Sequence, residues 1–139
     1  MGSDESAAAV RRWFQAIDDG DPDAERAMRA QDFVAHVPGM PGPLDGEDWE
    51  QFIGIFRDGF PDMRLVVEDI VAQGDRVAVR WTFVGTHEGE FFGSPPTGAR
   101  VRMSAIEINR VVDGKIAEHW VELDQLGMLQ QVGAIPSPY

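Results

Sequence analysis

The stretch Val111-Val112-Asp113-Gly114-Lys115-Ile116-Ala117-Glu118-His119-Trp120-Val121-Glu122-Leu123-Asp124-Gln125-Leu126-Gly127 decides how this chain folds. Asp113-Gly114 predicts a two-residue type I′ turn, because both centres of that turn need positive φ, which Asp and Gly tolerate. Successive strand residues point to opposite faces, so Glu118, Trp120, Glu122 and Asp124 are expected to share one face. Counting back across the turn sets Val112 opposite Lys115. Asn109 then lies opposite Glu118, Glu107 opposite Trp120, Ala105 opposite Glu122 and Met103 opposite Asp124. The other face would carry Ile106, Ile108, Val121 and Leu123, with Arg110 and His119 among them. Carboxylates beside apolar surface are a setting in which one of them serves as a proton shuttle near neutral pH.

Upstream of the hairpin the pattern is helical first and strand-like later. Val10, Trp13, Phe14 and Ile17 form one helical stripe that ends near Gly20. Asp21-Pro22 starts a short helix to about Ala30, with Asp as N-cap and Pro at the first helical position. Phe33 to Val37 reads as a short strand broken by Pro38-Gly39-Met40-Pro41-Gly42-Pro43. A third helix from about Glu47 turns Trp49, Phe52, Ile53 and Phe56 inward and stops at Gly59 and Pro61. Strands follow over Met63–Ala72 and Arg76–Thr86, then a Gly- and Pro-rich loop over Glu88–Gly98. The long hairpin of Val101–Val112 and Lys115–Leu123 comes next, and a last helix over Gln125–Val132 stops at Gly133. Helices followed by an antiparallel meander predict an α+β fold, a curved sheet with helices on one face. No internal repeat or linker divides the chain, so residues 1–139 are expected to form a single domain. Three helices cover only one sheet face; the other apolar face predicts a homodimer.

Composition narrows the function. The chain has 139 residues, enough for a core and an internal pocket. Its formal charge is −12, with 24 acidic and 12 basic residues, and the bases are scattered, so nucleic acid is not an expected partner. There is no cysteine, hence no disulfide or thiol chemistry, which fits a cytoplasmic location. No apolar run predicts a membrane span, and no basic and apolar leader is evident. The three histidines lack any short metal-binding spacing, no phosphate-binding loop is present, and neither a metal nor a cofactor is expected.

Gly85-Thr86-His87-Glu88-Gly89-Glu90-Phe91-Phe92-Gly93, Pro95-Pro96-Thr97-Gly98, the Asp-Gly-Lys-Ile hairpin with Glu118-His119-Trp120, and Asp124-Gln125-Leu126-Gly127 follow one another in that order. Together with Leu129-Gln130-Gln131-Val132-Gly133, this series resembles the SnoaL-like polyketide cyclases, or ester cyclases, of the nuclear-transport-factor-2-like superfamily. The resemblance runs from the first helix to Ile135. It implies a cone-shaped α+β barrel with a deep pocket and a cofactor-free intramolecular aldol closure of a polyketide ester. It also implies an aspartate acid/base, for which Asp124 is the best-matching position. Some members carry an aromatic or histidine on the strand before the hairpin, where this chain has Glu107-Ile108-Asn109-Arg110.

The site expected on this basis places Asp124 at the polar end of an apolar pocket. Asp before a helix is also a favoured N-cap worth about 1 kcal/mol, and the two roles are compatible. Glu122 and Glu107 would lie near it, and Asn109 would orient a carbonyl or enolate oxygen. His36, before the proline-rich loop, is a candidate donor at the pocket mouth. Trp13, Trp49, Phe56, Met103 and Trp120 are candidate walls for a small, hydrophobic, carbonyl-containing ligand. His119 reads as a core or interface histidine, and His87 as a group that holds the loop. The rival expectations are a ketosteroid-isomerase-type double-bond shift, epoxide opening, dehydration, and ligand binding without catalysis.

Overall fold

The structure, a computed structural model, describes residues 2–138. In chain order the elements are α1 (Ser3–Asp19), α2 (Pro22–Ala27), β1 (Arg29–His36), α3 (Gly46–Gly59), β2 (Arg64–Gln73), β3 (Arg76–Thr86), β4 (Arg100–Val112), β5 (Lys115–Leu123) and α4 (Gln125–Gln131). The strands form one five-stranded sheet in the order β1-β5-β4-β3-β2. β2 to β5 are the expected antiparallel meander, whereas β1 joins β5 in parallel. The sheet is curved and unclosed, and α1 and α3 complete an α+β cone around the core. Among the described residues no helix is long and apolar enough to cross a membrane.

The helix boundaries follow from local chemistry. Asp21 accepts from the Ala24 amide with Pro22 behind it, and Asp45 accepts from the Asp48 amide. Gly20, at φ 67°, closes α1 in the left-handed region, and the Gly20 and Asp21 amides reach back to the Ile17 and Ala16 carbonyls. α1 is tied to β2 by Asp18, which accepts from Arg64 at 2.9 Å and from the Leu65 amide at 2.8 Å. Burial alone would raise the Asp18 carboxyl, but these donors outweigh it and hold it below its ordinary value.

Two features differ from the sequence expectation. α2 ends at Ala27 rather than near Ala30, and β1 starts at Arg29 rather than Phe33. Parallel pairing draws this backbone into the sheet: the Ile116 amide donates to the Met28 carbonyl at 2.9 Å, and Arg29 pairs with Ile116.

The second difference is the register of the final hairpin. Asp113 and Gly114 do adopt positive φ, at 51° and 75°, and Val112 does face Lys115. Val111 pairs with Ile116, but Arg110 then pairs with Glu118, so Ala117 is an extra residue in a β-bulge. The bulge lets Ile116 and Ala117, adjacent in sequence, both be buried. It also shifts every later pair by one residue. Asn109 faces His119, Glu107 faces Val121 and Ala105 faces Leu123, while Ile108 faces Trp120 and Ile106 faces Glu122. A one-residue shift exchanges sheet faces. Glu107, Asn109, His119 and Val121 therefore face the core, and Glu118, Trp120 and Glu122 lie on the outer face. The pairings expected for Asn109, Glu107, Ala105 and Met103 are corrected accordingly.

Candidate active site

The inner face of the sheet and the inner stripes of α1 and α3 enclose an apolar cavity. α1 supplies Trp13, Phe14 and Ile17; α3 supplies Trp49, Phe52, Ile53 and Phe56. Met63 comes from the segment entering β2, Leu65 from β2 itself, Trp81 and Phe83 from β3, Met103 and Glu107 from β4, and His119, Val121 and Leu123 from β5. Its free volume is about 40 Å³, so a polycyclic occupant enters only if the aromatic walls move apart.

The polar groups of this cavity are few and ordered. Glu107 and Asn109 are two residues apart on β4 and so share a face, and the Asn109 Nδ2 donates to Glu107 Oε2 at 2.6 Å. Asn109 is the cross-strand partner of His119, whose Nδ1 lies 2.7 Å from Asn109 Oδ1 and 3.4 Å from Glu107 Oε2. The carboxylate fixes the amide's orientation, because only Nδ2 can donate to it. The amide oxygen then requires a proton on His119 Nδ1. Neutral His119 therefore carries its lone pair on Nε2, which is buried and has no hydrogen-bond partner. Trp13 and Trp49 each meet the imidazole in a T-shaped contact, with centroids at 5.2 and 5.0 Å.

A second buried carboxylate fixes those two indoles. Glu25 Oε2 accepts from Trp13 Nε1 at 2.7 Å, Trp49 Nε1 at 3.2 Å and Arg29 Nε at 2.9 Å. Arg29 also reaches Glu50 at 3.0 Å. A hydrogen bond from Arg26, opposed by burial and aided by Arg29, holds the Glu50 carboxyl below its usual range. The indole rings are thus stacked at 5.5 Å with both N–H groups engaged on the side of Glu25.

The structure divides the residues singled out in the sequence into two groups. Trp13, Trp49, Phe56, Met103 and Glu107 line the cavity, with Asn109 directly behind Glu107 and His119. His36, Trp120 and Glu122 line an open groove of about 480 Å³ on the outer face, beside Pro38, Met40, Ile106 and Ile108. There His36 Nε2 bonds Glu118 at 2.8 Å, its ring stacks on Trp120 at 5.4 Å, and Arg76 lies over the same indole at 5.3 Å. The His36 hydrogen bond, with Arg110 beside it, holds the Glu118 carboxyl below its ordinary value.

Asp124 belongs to neither wall. It is exposed and caps α4, accepting from the Gly127 amide at 3.0 Å. A Cβ on Gly127 would come within 2.2 Å of Asp124 Oδ2, so the glycine is what lets the cap close. Its parity is the same as that of Glu118 and Glu122, which the bulge turns outward. His87 is buried and holds the 88–98 loop through Thr97 at 3.0 Å and through main-chain bonds to Gly98 and Ala99. No group of three or more His, Asp or Glu gathers as a metal site among the described residues.

The sequence reading missed His119 as a cavity group, Glu25 as the lock on the tryptophans, and Trp81. A signal for the first was present. Unbulged pairing would put Glu107, Glu118 and Glu122 together on one face, whereas the bulge sets Arg110 opposite Glu118.

The model of the SnoaL-like polyketide cyclases matches residues 7–132. The chain belongs to this family. Among curated relatives of this SnoaL-like protein, the aklanonic acid methyl ester cyclase DnrD of Streptomyces peucetius is 38% identical over 130 residues, covering 89% of this chain and 88% of that one. The nogalonic acid methyl ester cyclase of Streptomyces nogalater is 34% identical over 84 residues, 60% of this chain and 63% of that one. Among solved structures, AclR from Streptomyces galilaeus, a proposed hydroxylase, superposes with a TM-score of 0.90 at 31% identity, covering 99% of this chain and 86% of that one. IdmH from Streptomyces antibioticus, a proposed polyketide cyclase, gives 0.84 at 38% identity over 92% and 98% of the two chains.

Proposed function

We propose that this SnoaL-like protein closes a ring in a small polyketide-like carbonyl compound by intramolecular aldol chemistry in the inner cavity, with His119 as acid/base. One observation carries this reading: a buried histidine Nε2 with a free lone pair, its tautomer set by Asn109 and Glu107. Nε2 takes a proton from a carbon flanked by carbonyls. The carbanion's electron pair forms the new C–C bond at a second carbonyl carbon. The π pair of that carbonyl moves to its oxygen, which takes the proton back from Nε2. Product and substrate are isomers, so the step needs no oxidant, reductant or cofactor. Glu107, 3.4 Å from Nδ1, offsets the transient imidazolium charge.

The relatives' names suggest the first substrates to try, aklanonic and nogalonic acid methyl esters. Incubation followed by chromatography and mass measurement should give a new product of unchanged mass. The likeness to AclR favours one second reading, a hydroxylation by dioxygen with a two-electron reductant supplied from outside, which would add one oxygen to the product mass and release the other as water. Saturable binding without a product would leave a ligand-binding role. Asp124→Asn is expected to keep activity, because asparagine also caps helices. Its loss in that variant, with retention in His119→Gln, would transfer the acid/base role to Asp124.

We propose also that the outer sheet face joins a second copy of the chain. Val66, Val71, Ile106 and Ile108 are exposed along it. Light scattering at micromolar concentration should report a dimer, and Ile106→Arg a monomer; a monomeric wild type would refute the pairing.

A further inference from the structure

Three tryptophans line the inner cavity, and their indole N–H groups differ in one respect. Those of Trp13 and Trp49 are spent on Glu25. That of Trp81 has no partner, although the residue is only 9% exposed and its Nε1 is buried. A buried N–H left without an acceptor is costly, and such exceptions call for an explanation. Trp81 stands on β3 opposite Ala105, next to Phe14 at 5.7 Å, and its Nε1 makes no hydrogen bond.

Among the described residues, Trp81 Nε1 and His119 Nε2 are the two polar atoms of this cavity wall that are buried without a partner. Their chemistry is complementary. An indole nitrogen donates and never accepts, whereas the tautomer imposed by Asn109 leaves His119 Nε2 able only to accept. An oxygen acceptor entering the cavity therefore has one unengaged donor in this wall, and it is Trp81. The two residues stand apart along the sheet. Trp81 is in the row of Ala105 and His119 in the row of Asn109, four residues along β4, on the order of 13 Å between the Cα rows.

We infer that Trp81 binds the occupant through a hydrogen bond from Nε1 to a carbonyl oxygen. The cavity thus selects flat ligands that carry an oxygen acceptor apart from the carbon facing His119, and it discriminates against hydrocarbons of the same shape. This rests on the reading of the cavity as the substrate site, and the test separates the two. The probes are 1-indanone and indane, alike in outline and different by one carbonyl.

Binding of each is measured by calorimetry to wild type and to Trp81→Phe, which keeps an aromatic wall and removes the N–H. The substitution should weaken 1-indanone about tenfold and leave indane unchanged. In the wild type, the Trp81 indole proton resonance, assigned by its absence from the variant, should move downfield with 1-indanone and not with indane. That measurement needs no folded variant for its outcome if the assignment is made through the backbone. Equal weakening of both probes, or an unmoved N–H, would make Trp81 a wall and overturn the inference while leaving the cavity as a ligand site. Binding of neither probe would remove the cavity reading, and the inference with it.

Discussion

Replacing His119 with glutamine is expected to lower kcat/KM for ring closure by about 10²- to 10⁴-fold, the usual contribution of a positioned general base. Substrate affinity should change little, because the apolar walls that bind it remain. The loss should therefore appear in kcat, as it does for an interaction made only in the transition state. Exchange of deuterium into the activated carbon of a 1,3-dicarbonyl probe should fall with it, since that step needs the same lone pair. Glu107→Gln is the sharper variant of the same idea. A glutamine at 107 no longer dictates which way the Asn109 amide points. An Asn109 amide that presents Nδ2 to His119 would move the imidazole proton to Nε2, and the base would be lost without touching the histidine. In other catalytic dyads, exchanging the orienting carboxylate for its amide costs up to about 10⁴. Near-wild-type kcat/KM in both variants, with folding verified by circular dichroism, would refute His119 as the base.

The sequence disclosed the frame of this site better than its contents. Helical stripes such as Val10, Trp13, Phe14 and Ile17 are legible because burial and helical period coincide, and the cap residues Asp21 and Asp124 mark helix starts for a local chemical reason. The Asp113-Gly114 turn was legible for the same reason, since positive φ is a local demand. What local rules do not supply is the count of residues between turn and site. One extra residue at Ala117 turns the chemistry of β5 inside out: His119 enters the cavity, and Glu118, Trp120 and Glu122 leave it. Walls drawn from α1, α3 and β4 do not depend on that count, so Trp13, Trp49, Phe56 and Met103, expected as walls from their own periodicities, do line the cavity, whereas Glu107 was placed through a register that the bulge changes. Glu25 was illegible in principle. A glutamate in a short helix ordinarily faces water, and only the approach of Trp13, Trp49 and Arg29 from three other elements makes it a core group.

Truncation of that glutamate is the variant expected to harm stability most. In Glu25→Ala, two buried indole N–H groups lose their acceptor, and Arg29, whose side chain is 5% exposed, loses its nearer carboxylate. Removing one partner of a buried ion pair costs about 3–5 kcal/mol, chiefly because the other charge stays buried. Urea titration should show a midpoint lowered accordingly with an unchanged slope, since the surface exposed on unfolding is the same. The mechanism makes two finer demands. Glu25→Gln keeps an acceptor oxygen and loses only the charge, so it should fall between wild type and alanine. Glu25→Ala with Arg29→Met removes both charges and should recover part of the loss, a positive coupling that independent sites would not show. Gly46 belongs to the same arrangement, because a Cβ there would meet Arg29 Nη1 at 2.4 Å. The consequence reaches the chemistry. Trp13 and Trp49 clasp the His119 ring only while Glu25 holds their N–H groups, so Glu25→Gln, though folded, should lower kcat more than KM. A Glu25→Ala protein of wild-type stability would mean that Glu50 alone satisfies Arg29 and that the indoles need no lock.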